Sequence, residues 1–154
     1  MKRIAASADA TYADPSALLK LYLHEPDSRA VAAWRARLDG PIAVTLFGRV
    51  ELANAIGLAV ARGIISQTTH GAALAALDDD FAEGRCALTD LLWRAALRRA
   101  EELSRSYAPS LGCRTLDVLH VASAITLKRT HFLTFDIRQQ KLARAAGLRL
   151  ITLR

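Results

Sequence analysis

Four acidic residues of this chain stand where an ionised side chain is hard to place. Asp14 and Asp136 each close a short apolar run, Glu51 lies inside a segment that is apolar on every side, and Asp117 opens another such segment. The other acids, among them Glu25, Asp27, Asp39, Asp78 to Asp80 and the pair Glu101 and Glu102, fall in turns or on polar helix faces and need no special account. Two carboxylates about 4 Å apart repel by roughly 4 kcal/mol at an effective dielectric near 20. Four gathered in one crevice therefore need a counter-charge. A divalent cation supplies it, and a donor set of carboxylates with no cysteine and one nearby histidine favours Mg²⁺, with Mn²⁺ possible, over zinc.

Each acid also has a plainer reading. Asp14, Asp117 and Asp136 stand at helix starts, where a carboxylate favours the positive end of the helix dipole. Glu51 lies well inside its helix, and its plain alternative is a buried ion pair with Arg49 or another arginine. His120, three residues after Asp117 on the same helix face, is placed to orient a carboxylate, touch substrate, act as a base or pack in the core. Ser16 and Thr134 lie two residues from Asp14 and Asp136 and suit hydrogen bonds to water, phosphate or a helix end. Arg49, Arg114 and Arg138 flank the proposed crevice and suit either backbone phosphates or a solvated or internally paired role. Trp34 and Trp93, on amphipathic stretches, read as core or dimer contacts.

The elements that would bring these residues together alternate between strand and helix. Strands are expected at 11–13, 42–44, 86–89, 132–135 and 148–151. Helices are expected from Pro15 through Leu23, over 28–38, 46–62, 66–82, 90–107, from a Thr115 cap to Leu127, and from Asp136 to Ala146 with Gly147 as its C-cap. Pro109 and Gly112 mark a loop. Segments 46–62 and 115–127 are apolar around most of their circumference and are expected to be buried. Short apolar strands separated by helices imply a mainly parallel sheet of about four to five strands covered on both faces, with ligands bound beyond the carboxyl ends of the strands.

Composition bounds the rest. A chain of 154 residues, 52% hydrophobic and 23% charged, makes one ordinary globular domain over 1–154, with 1–10 as a weakly ordered leader. Charges interrupt every long apolar run, which excludes a membrane span. Ser7, Asp9 and Thr11 break any secretory h-region, and Cys86 and Cys113 show neither zinc nor disulfide spacing, so a cytoplasmic protein is expected. A net charge of +6, from 21 Lys and Arg against 15 Asp and Glu, makes nucleic acid a plausible partner without excluding a merely solvated basic surface.

Four stretches, YADPSALLKLYLHEP, VTLFGRVELANAI, TLDVLHVASAI and FLTFDIRQQKLARAAGL, carry these acids in order, and with them the chain resembles PIN domains, more narrowly the VapC-type toxin ribonucleases of bacterial toxin–antitoxin pairs. The resemblance covers nearly the whole chain. It implies an α/β/α sandwich, Mg²⁺- or Mn²⁺-dependent endoribonuclease activity, a homodimer, and inhibition by a cognate VapB-like antitoxin. It also implies that Asp14, Glu51, Asp117 and Asp136 form the acidic site, with Ser16, His120 and Thr134 beside it. Two departures stand out. The leader before Asp14 is long with a weakly hydrophobic first strand, and Pro15 removes a backbone N–H from the corner where an anion would sit. Two further readings stay open: a non-catalytic PIN-like domain that binds RNA or protein, and a receiver-type phosphoacceptor, for which Lys128 and Lys141 are poorly placed.

Overall fold

The structure, a computed structural model, describes residues 7–153. Residues 1–6 of the expected leader lie outside the described residues. Ala8–Ala10 form a 3-10 turn with Ala8 buried. Five strands follow the expected positions: β1 (Thr11–Ala13), β2 (Ile42–Val44), β3 (Cys86–Leu88), β4 (His131–Leu133) and β5 (Arg149–Leu150). Every ladder is parallel. One runs β1-β4-β5 and a second pairs β2 with β3, while β2 lies beside β1 without a ladder between them.

The seven helices among the described residues are α1 (Pro15–Leu18, continued by a 3-10 turn to Leu21), α2 (Ser28–Arg35), α3 (Leu46–Ala61), α4 (Gln67–Ala82), α5 (Trp93–Leu111), α6 (Thr115–Thr126) and α7 (Ile137–Ala145). Side chains alternate across a strand, and the sheet uses that alternation to build two cores. Tyr12 and Phe132 face one, made with α5, α6 and α7. Ala13 and Leu133, their immediate neighbours, face the other, made with α1 to α4. Helices thus cover both faces of a parallel sheet, as expected for an α/β/α sandwich. Trp34 joins the second of these cores, whereas Trp93 is partly exposed and leans on Phe47, with ring centroids 5.6 Å apart.

Three expectations give way. Helix α3 is not buried all round: Leu52, Ile56 and Ala59 face the core, but Leu46 and Val50 are each 63% exposed. Apolar composition on every side shows that a helix lacks a polar face, not that this chain alone covers it. Pro109 lies inside α5 rather than in a loop. A proline in the last turn forfeits one backbone bond, and Tyr107 and Leu111, which flank it, pack on the α5–α7 core and hold the helix to its end at Gly112. Thr115 is the first helical residue of α6. Its N-cap is Arg114, whose N–H donates to the Asp117 carboxylate at 2.9 Å.

Candidate active site

The parallel strands deliver their carboxyl ends to one edge, and the four acids meet there. Asp14 follows β1, Asp136 lies three residues beyond the end of β4, Glu51 projects from the second turn of α3, and Asp117 sits in the first turn of α6. All four line one cavity of about 500 Å³ together with Pro15, Ser16, Arg114, His120 and Gln139.

Asp14 is both cap and site residue. Its Oδ1 accepts from the Ser16 hydroxyl at 2.7 Å and from the Ala17 N–H at 3.3 Å, which satisfies the start of α1. Pro15 at the first helical position costs α1 nothing, since that N–H has no helical partner anyway. Ser16 Oγ in turn accepts from Phe135 N at 3.0 Å and lies 3.2 Å from Thr134 Oγ1, which accepts from Asp136 N at 3.0 Å. The two expected supporting hydroxyls therefore tie the β1 corner to the β4 corner. Asp14 is 1% exposed, and burial pushes its carboxyl above the usual carboxylate range, partly offset by nearby His120, the Ser16 hydroxyl, the Ala17 amide and Thr134.

Glu51 does not pair with Arg49. Its Oε2 lies 2.5 Å from His120 Nε2, and the other ring nitrogen of His120 lies 2.7 Å from the Tyr12 hydroxyl. Burial pushes the Tyr12 phenol far up, so it keeps its proton and donates to Nδ1. The hydrogen-bond network then assigns the imidazole proton to Nε2, facing Glu51. Tyr12 stacks on Phe132 at 5.4 Å, and Phe47 packs against the imidazole at 4.7 Å, so this line of three side chains is held in apolar surroundings.

Asp117 and Asp136 are satisfied differently. Asp117 Oδ2 faces Arg114 Nε at 3.4 Å, and Asp136 Oδ2 faces the same guanidinium at 3.5 Å. Asp136 Oδ1 caps α7, accepting from Arg138 N at 2.8 Å and Gln139 N at 3.1 Å. Asp117 Oδ1 accepts from Gln139 Nε2 at 3.3 Å. As placed, no three His, Cys, Asp or Glu side chains among the described residues are close enough to share one ion. Asp14 and Glu51 are turned toward separate donors, while Asp117 and Asp136 share one guanidinium.

Two arginines fall away from the expected crevice. Arg49 pairs with Asp78 at 2.9 Å and lies over the Phe81 ring at 4.2 Å, on the α4 side. Arg138 is exposed and reaches Asp136 only through its backbone N–H. Helical phase explains Arg49: two positions before Glu51 lies about 200° around the axis, on the opposite face. Sequence reading missed Tyr12 and Gln139. Tyr12 was hidden as an apolar strand residue, and Gln139 left the signal of a polar residue at the helical spacing that follows a cap acid.

The family model of the PIN domain matches residues 11–145, and the chain belongs to the PIN domain family. No curated protein matches the sequence. Membership makes this a nuclease-type domain directed at nucleic acid, in a family that typically uses divalent metals. No helix among the described residues is long and apolar enough to cross a membrane.

Proposed function

We propose that the protein is a metal-dependent endoribonuclease acting as the toxin of a toxin–antitoxin pair. The observation that carries this reading is the convergence of Asp14, Glu51, Asp117 and Asp136, from four separate elements, on one pocket at the carboxyl edge of a parallel sheet. Capping explains three of these acids singly, but it does not require them to share a cavity, and it leaves Glu51 out.

The pocket fits Mg²⁺ or Mn²⁺ in its donor chemistry, since every acid offers hard oxygen. Asp14 adds a buried carboxylate whose only donors among the described residues are a hydroxyl and an amide, both on Oδ1. Asp14, Asp117 and Asp136 would hold the ion, with Glu51 at its edge. When bound, the cation lowers the pKa of water and offsets phosphate charge. Arg114, 66% exposed, is free to release Asp117 and Asp136 to the ion and to take up an RNA phosphate instead. Glu51, held by His120 through Oε2, keeps Oε1 for orienting an attacking water and receiving its proton. In-line attack by water leaves 5′-phosphate and 3′-hydroxyl ends, with no part for the 2′-hydroxyl.

The toxin assignment brings an antitoxin and a homodimer partner in the cell cytoplasm. Exposed Leu46 and Val50 on α3, with Leu92, Trp93 and Leu97 at the start of α5, offer apolar surface that such partners would cover. One observation favours a second reading, a domain that binds RNA without cutting it: Arg114 already bridges two of the acids. Neither Lys128 nor Lys141 lines the pocket, which removes the support a receiver-type reading would need.

The deciding experiment is Asp14→Asn, assayed on total RNA with Mg²⁺ and with EDTA. Wild-type cleavage should require the metal and fall by about 100-fold or more in the variant. Cleavage retained in the variant sinks the acid-site mechanism, and gel-shift of RNA without turnover by wild type supports the binding reading.

A further inference from the structure

Gln139 sits in the first turn of α7, 5% exposed, and lines the acidic pocket. It touches two acids at once. Its backbone N–H donates to Asp136 Oδ1 at 3.1 Å, and its side-chain Nε2 donates to Asp117 Oδ1 at 3.3 Å. One residue thereby couples the acid after β4 to the acid of α6, which are 19 positions apart in the chain. The orientation of the carboxamide follows from chemistry. A carboxylate only accepts, so the NH₂ end must face Asp117, and the carbonyl end is turned away from it.

That carbonyl oxygen, Oε1, is buried and has no hydrogen-bond partner among the described residues. A buried acceptor without a donor is costly and uncommon. Among the polar groups that line the same pocket, Arg114 is committed to Asp117 and Asp136, His120 to Glu51 and Ser16 to Asp14. An O–H group entering the pocket from outside would supply the donor that Oε1 lacks.

We infer that Gln139 is a positioning residue of the acidic site, fixing Asp117 with its NH₂ group and accepting, at Oε1, a hydrogen bond from a water that enters with the divalent cation. This rests on the metal-nuclease reading above and adds to it a neutral fifth member of the site. The amide contributes an acceptor without a fifth negative charge, which the crowded carboxylates would not tolerate.

The test uses the full chain and Mn²⁺ alone as probe, read by calorimetric binding and by thermal melting with EDTA or Mn²⁺. Gln139→Met keeps the side chain's length and removes both polar atoms. It should melt close to wild type in EDTA, because the lost bond to Asp117 is offset by removal of the unsatisfied carbonyl. Its Mn²⁺ affinity should fall about tenfold or more, in the range seen when a partner of a metal ligand is removed. Gln139→Glu keeps an oxygen at the Oε1 position and sets a carboxylate against Asp117. It should melt lower than wild type in EDTA and gain more from Mn²⁺. Wild-type Mn²⁺ affinity in Gln139→Met overturns the assignment while leaving the nuclease reading intact. Should that variant not fold, a Gln139→Glu protein whose Mn²⁺-induced rise only equals that of wild type does the same. Wild type that ignores Mn²⁺ overturns the nuclease reading and, with it, this one.

Discussion

The two sides of the acidic pocket solve the same electrostatic problem by different means. On the α6–α7 side, Asp117 and Asp136 share the guanidinium of Arg114, an exposed side chain at contact distances of 3.4 and 3.5 Å. On the β1–α3 side, Asp14 and Glu51 have no arginine partner among the described residues: Asp14 rests on a hydroxyl and an amide, and Glu51 on a histidine locked by a buried tyrosine. The first side carries a counter-charge that can leave. The second is built of donors fixed within the fold, and burial there pushes the Asp14 carboxyl above its ordinary range. The difference teaches where a cation is most needed and where it can gain entry. On the metal-nuclease reading proposed above, the need would be concentrated at Asp14 and the exchange would take place at Arg114.

The sharpest way to break the contrast is to loosen the fixed side. Tyr12→Phe removes the donor to His120 Nδ1 and leaves that nitrogen buried without a partner, at a cost of about 1–3 kcal/mol. It should lower the melting temperature and reduce RNA cleavage through a misdirected Glu51. A variant that melts and cleaves like wild type would show that the line of three side chains fixes nothing.

A smaller effect of opposite sign is expected from Asp14→Asn without metal. The folded carboxyl is raised, so its burial costs stability once it ionises. That cost is absent below the ordinary carboxylate range, grows as pH climbs toward the raised folded value, and persists above it. In EDTA at neutral pH the variant should therefore melt higher than wild type. About 1 kcal/mol moves the midpoint by roughly 2–4 °C for a chain of this size. The gap should close as the solution is acidified, and clear destabilisation at neutral pH would make Asp14 a cap and nothing more.

The smallest effect belongs to the side held by the exposed Arg114. Exposed ion pairs are worth roughly 0.2–1 kcal/mol. Arg114→Ala should accordingly leave stability nearly unchanged and tighten Mn²⁺ binding by roughly two- to fivefold, because the competing guanidinium is gone. Unchanged or weaker binding by calorimetry would mean that Arg114 does not occupy the cation's place.

Much of this arrangement is legible in the sequence because it depends on local rules. Asp14 before Pro15, Thr45 before α3, Ser66 before α4 and Asp136 before α7 each mark a helix start, and each accepts from the first turn as its residue type requires. Glu51 stood out because a carboxylate in an apolar helix needs a partner from elsewhere. Identifying that partner was beyond local reasoning. Arg49 is near Glu51 in sequence, but its helical phase sends it to Asp78, while His120, 69 positions away, arrives on a different helix.

The sequence by itself determined the element order, the parallel strands, and the four acids that had to be placed at strand ends and in apolar helices. These follow from periodicity, capping chemistry and the cost of isolated charge, which act over a few residues. Only the tertiary structure decided which donor serves which acid. It set Arg114 between Asp117 and Asp136, lined up Tyr12 behind His120, and left the Gln139 carbonyl without a partner. Those pairings depend on how two cores pack against opposite faces of one sheet, and packing over that distance leaves no mark on neighbouring residues in the chain.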